Sequence, residues 1–99
     1  MTTNIVRKES SIKDDANKLR FDLIEPEFEE TVASVLTFGA AKYSTGSWKH
    51  LEDGINRYYA ALRRHISAWR RGEKLDPETG LSHLAHAACN IMFLMYMEE

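Results

Sequence analysis

Apolar positions recur at helical spacing in three blocks of this chain, and no stretch of useful length shows the alternation of a strand. In the first block Phe28, Val32, Val35, Leu36 and Gly39 follow one another at steps of four, three, one and three. Pro26 is suited to a first helical position and Glu27, Glu29 and Glu30 to the positive end of the dipole, so a helix is predicted from Pro26 to near Ala41 or Lys42. The second block, Ile55, Tyr59, Leu62, Ile66 and Trp69, has the cleanest period and predicts a helix from a capping Asp53 to Arg71, stopped by Gly72. A third helix is expected from about Leu81 to the C-terminus. Its run Ile91 to Met97 is apolar on every side, more than three helices of one small chain can cover. The pattern predicts an all-α fold, a small bundle of three main helices that completes its core by homo-oligomerisation.

Before the first helix the pattern is absent. Residues 1–20 are polar and read as a flexible or extended arm, leaving 21–99 as a single domain. A formal net charge of −2 offers no overall basic field, so no nucleic acid polymer is expected as partner. The first twenty residues have no apolar segment of the secretory kind and no stretch is long enough to span a membrane, which predicts a cytoplasmic protein with no membrane partner. The single cysteine, Cys89, falls on the apolar third helix and reads as packing.

Chemistry concentrates in the segment from Asp76 to Asn90. His83, His86 and Asn90 share one helical face behind the carboxylates Asp76 and Glu78. A polar stripe through an otherwise apolar helix calls for a partner, a ligand or a metal. On the second helix Arg57, Arg63, Arg64, His65, Arg70 and Arg71 make a locally basic surface that suits a phosphate, although charge pairs of this kind are often only a solvated face. The loop from Tyr43 to Trp48 carries an aromatic at each end and reads as a base-stacking loop, whereas Tyr58 and Tyr59 read as core. His83 and His86, with Asp76 or Glu78 nearby, match a transition-metal ligand set for Zn²⁺, Mn²⁺ or Fe. Taken singly, each histidine is more often a hydrogen-bonded core residue; the combination with His65, Arg64 and Lys42 favours a ligand site.

The run Leu36-Thr37-Phe38-Gly39-Ala40-Ala41-Lys42-Tyr43, then Trp48, Arg64-His65, Gly72-Glu73, Asp76-Pro77-Glu78-Thr79-Gly80-Leu81 and His83-Leu84-Ala85-His86 resembles the phage dATP/dGTP diphosphohydrolase N-terminal domain family over about Arg20 to Glu98. That family looks related to the MazG-like all-α nucleotide pyrophosphohydrolases, which form dimers or tetramers and hold Mg²⁺ with clustered carboxylates. The resemblance implies a nucleotide ligand and a phage origin, hence the host cytoplasm. It also shows a departure: His83-Leu84-Ala85-His86 stands where the second acidic pair would be, and Arg64, His65 and Ser67 where the first would be, so the usual magnesium cage is missing. Two functions follow. In the first, Lys42, Tyr43, Trp48, Arg64, His65, His83, His86 and Asn90 bind a phosphorylated nucleotide, such as a cyclic nucleotide immune signal, in a cleft between protomers. No cofactor is required for that binding, and no turnover follows. In the alternative, Asp76, Glu78, His83 and His86 form an altered Mg²⁺ or Mn²⁺ site of a dATP/dGTP diphosphohydrolase that releases pyrophosphate. A third, weaker reading is a structural oligomer without ligand.

Overall fold

A computed structural model describes residues 17–99, so most of the arm expected over 1–20 lies outside the described residues; residues 17–20 are exposed. The described chain forms three α-helices, α1 (Pro26–Lys42), α2 (Gly54–Arg70) and α3 (His83–Met97), with short 3₁₀ turns at Phe21–Leu23 and Ser47–His50. Among the described residues the only β pairing is an isolated antiparallel bridge between Leu75 and Ser82. The protein is therefore a small all-α bundle.

Helix α3 is the central element. It packs along α2, more briefly against α1, and on the Ser47–His50 turn. Among the described residues the buried non-polar positions are small: Gly54 and Ala68 on α2, and Ala85, Ala87 and Cys89 on α3. Small side chains let helix axes approach closely, and a Cβ added at Gly54 would stand 2.5 Å from the Met97 thioether. Cys89 reaches α1, its thiol donating weakly to the Val32 carbonyl at 3.6 Å.

The three predicted helices all form, but α2 turns its periodic stripe half outward. Ile55, Tyr59, Ile66 and Trp69 are exposed, while Gly54, Tyr58, Leu62, His65 and Ala68 face inward or lie half-buried. The reason is steric: the interface with α3 is built on Gly54 and Ala68, and the large side chains stand about 100° round the helix from it. Helix α3 likewise leaves Leu84, Ile91 and Met95 exposed on one face.

Local signals set the ends of the elements. Asp53 occupies the N-cap of α2 as expected, in a left-handed conformation (φ 55°), yet its carboxylate caps no backbone N–H and accepts from Asn56 Nδ2 at 2.9 Å. Gly72 ends α2 at φ 104°, its N–H bonded to the Trp69 carbonyl (3.0 Å) and that of Glu73 to Ala68 (3.0 Å). The chain then doubles back: the His83 N–H meets the Lys74 carbonyl at 3.0 Å, and Ser82 Oγ caps α3 by accepting from the Leu84 N–H at 3.1 Å. The third helix thus starts at His83, just after the Leu81 expected from the pattern, because Ser82 takes the cap.

Candidate functional site: a histidine cluster beside a cleft

The inward face of α2 places His65 opposite the first turn of α3, where His83 and His86 sit. His65 and His83 meet Nδ1 to Nδ1 at 2.8 Å, and His86 stacks nearly parallel on His65 with ring centroids 4.5 Å apart. His83 is buried, and its other nitrogen, Nε2, donates to Glu73 Oε1 at 3.1 Å. A carboxylate accepts only, so Glu73 puts the His83 proton on Nε2; in neutral His83 the Nδ1 lone pair then accepts from His65. The turn from Asp76 to Gly80 closes the cluster. Asp76 Oδ2 accepts from the Thr79 N–H (2.9 Å), the Glu78 N–H (3.1 Å) and the Thr79 hydroxyl (3.2 Å). The same hydroxyl meets His86 Nε2 at 2.7 Å.

These surroundings set the charge state. Burial lowers the pKa of His65, helped by neighbouring His86, and outweighs the pull of Asp76 toward the charged form. Burial also lowers that of His86, against the opposing carboxylates of Asp76 and Glu78. For Asp76 burial acts upward, but the Thr79 N–H and the adjacent imidazoles prevail and hold the carboxyl below its ordinary range. Near neutrality the uncharged imidazoles of His65 and His86 stand beside an ionised Asp76.

His65, His86 and Asp76 of the cluster line a cleft of about 1040 Å³ between α1, the Tyr43–Leu51 loop, α2 and the 76–79 turn. The structure brings Lys42, Tyr43, Trp48, His65, Asp76, Glu78 and His86 to this cleft, together with Arg57, Tyr58 and Thr79. Lys42 is ion-paired with Glu78, which raises its pKa, and its ammonium lies 5.2 Å from the Tyr43 ring centre. The Trp48 indole is stacked on Phe93 (4.6 Å) with Tyr96 at its edge, and the Tyr58 hydroxyl donates to the Trp48 carbonyl at 2.9 Å.

Three expected residues do not line the cleft. Arg64 is exposed in a separate surface groove with Arg63, Arg70 and Arg71, because one residue before His65 is a rotation of about 100° away from the cleft. Asn90 is buried and does not line the cleft; its Nδ2 donates to the His86 carbonyl one turn below at 2.9 Å. His83 sits behind His65 rather than on the cleft wall. Sequence reasoning did not single out Glu73 or Thr79 as site residues; both stand in the quoted motifs, but a polar residue in a connector has no periodicity to mark its direction.

The donor set fits metals unequally. Among the described residues three carboxylates line the cleft: Asp76, bonded within its own turn, Glu78, paired with Lys42, and Glu52. Glu52 precedes α2, whose first residue, Gly54, is about 16 Å from His65 by the rise of the helix. That arrangement does not make the oxygen cage Mg²⁺ demands. One group of donors does converge: atoms of His65, Asp76 and His83 lie within 4.8 Å of one another. The sequence pairing of His83, His86 and Asp76 is thus replaced in this group by His65 for His86, whose Nε2 meets Thr79.

Comparison with known proteins places this geometry in context. A family model described as dATP/dGTP diphosphohydrolase, N-terminal, matches residues 8–99. A curated relative from Salmonella phage PMBT28, named dATP/dGTP diphosphohydrolase, is 40% identical over 88 residues, which cover 89% of this chain and 30% of the relative. The chain thus spans less than a third of that relative's length. No solved structure matches it. Among the described residues no helix is long and apolar enough to cross a membrane.

Proposed function

Given that the chain belongs to the dATP/dGTP diphosphohydrolase N-terminal family, we propose that it binds a phosphorylated nucleotide in the cleft beside the histidine cluster and retains it without turnover. A cyclic nucleotide used as an immune signal by a bacterial host is one such ligand. The observation that carries this reading is the state of the carboxylates among the described residues: Glu78 is paired with Lys42 and Asp76 Oδ2 is taken up by its own turn, so beside the cluster Asp76 Oδ1 alone is left, too few oxygens for the cage Mg²⁺ demands. What remains is suited to holding an anion. Lys42 and Arg57 supply positive charge, with Lys42 exchanging Glu78 for a phosphate, and Tyr43 offers an exposed ring for a base. The cleft volume is of the size that nucleotide-scale ligands occupy. A second copy of the chain is the natural cover for the half-exposed Ile55, Tyr59, Ile66 and Trp69 of α2.

The alternative is metal-dependent hydrolysis of dATP or dGTP with release of pyrophosphate. It is favoured by the relative's printed name and by an ionised Asp76 at the cleft. Equilibrium binding to deoxynucleoside triphosphates and cyclic dinucleotides, in EDTA and then with Mg²⁺ or Mn²⁺, separates the two. Retention predicts saturable binding of at least one of these ligands in EDTA and no new product with metal. Metal-dependent appearance of monophosphate and pyrophosphate would overturn it in favour of the hydrolase.

A further inference from the structure

We infer that His65, His83 and Asp76 form a binding site for a divalent transition ion of the Zn²⁺ class, at the junction of α2, α3 and the 76–80 turn. The site stands independently of nucleotide retention, since it is argued from the donors alone. Two imidazoles and one carboxylate with donor atoms within 4.8 Å of one another are a borderline set, suited to Zn²⁺, Co²⁺ or Fe²⁺ and poorly to Mg²⁺ or Ca²⁺.

The surroundings are those of a metal site beyond its direct ligands. Glu73 holds Nε2 of the buried His83 at 3.1 Å, which fixes the tautomer and presents the Nδ1 lone pair toward His65. The hydrogen bonds that orient Asp76 all fall on Oδ2, which leaves Oδ1 for an ion. His65 is carried on a helix and held between His83 and the parallel ring of His86. Metal–nitrogen bonds of about 2.0–2.1 Å at a tetrahedral angle keep two nitrogens about 3.3 Å apart. The facing Nδ1 atoms are at 2.8 Å, so a small opening admits the ion. The proton between the rings then moves to His65 Nε2, and none is gained or lost. Three protein ligands leave a fourth position, on the side where His65 and Asp76 border the cleft.

The test uses the full chain, stripped with EDTA and titrated with Co²⁺ and then Zn²⁺ without nucleotide. The expected result is one ion per chain, a visible Co²⁺ absorption of low-coordinate type bleached by Zn²⁺, and a rise in Tm on metal addition. His65→Ala and Asp76→Asn, each checked for retained helicity by circular dichroism, should abolish the band. Glu73→Gln, which leaves all three ligands in place, should weaken affinity about tenfold or more. His50→Ala, which removes the one histidine outside the cluster, should leave binding unchanged. Absence of a saturable Co²⁺ band, or a band that persists in folded His65→Ala and Asp76→Asn, would overturn the inference. Loss of the band in His50→Ala would do the same.

Discussion

His65 and His86 are held uncharged by burial, and this makes the metal-free chain sensitive to acid. Their folded pKa values lie below the ordinary 6.5, so the unfolded chain binds more protons once the pH falls below that value, and stability contributed by the neutral pair is lost. Asp76 acts in the same direction at lower pH, since its depressed pKa stabilises the fold above about 3.8 and ceases to do so below. In EDTA, Tm is expected to fall as the pH is lowered from 7 to 5, and His65→Asn should flatten the fall; a Tm that is level or rising over that interval would contradict this assignment. Most members of the cluster were legible in the sequence, because His83, His86 and Asp76 follow one another at spacings that a helix and its preceding turn bring together. Arg64 was singled out for its charge beside His65 and Asn90 for its helical register with His86. Rotation about α2 turns the first away, and a bond to the His86 carbonyl occupies the second.

Among the elements, α2 shows where periodicity stops being informative. It predicts the helix correctly from Ile55, Tyr59, Leu62, Ile66 and Trp69, yet the contact with α3 runs through Gly54 and Ala68, residues with little or no side chain to register in such a pattern. The stop at Gly72 was legible because only glycine adopts φ near 104° without strain. Gly72→Ala meets no steric neighbour, so its cost is conformational: a loss of about 1 kcal/mol or more is expected in urea unfolding, with an unchanged m-value. This turn also positions Glu73 and Asp76, so the same variant should weaken whatever the cluster binds more than a surface change such as Lys49→Ala does.

For the whole molecule, the core of the single chain is thin. Among the described residues the buried apolar ones are Ala68, Ala85, Ala87 and Cys89, while Ile66, Trp69, Ile91 and Met95 remain exposed. Fully burying a side chain of this size contributes about 1.5–3 kcal/mol, which makes self-association the expected way to complete the fold. Light scattering on the purified chain should therefore report a species larger than one chain, and Ile66→Asp should shift it to smaller species; a monomer that is equally stable with and without that change would contradict it. That α3 is apolar all round was legible, and its role as the central helix explains part of that pattern, with Ala85 and Cys89 buried and Phe93 stacked on Trp48. Retention of a nucleotide is tested most directly by its fate: the chain is incubated with deoxynucleoside triphosphates and cyclic dinucleotides, filtered free of unbound ligand, denatured by heat, and the released material chromatographed. Intact nucleotide recovered only after denaturation, with or without divalent metal, is the predicted result. Monophosphate and pyrophosphate formed only when metal is present would contradict retention and identify a hydrolase.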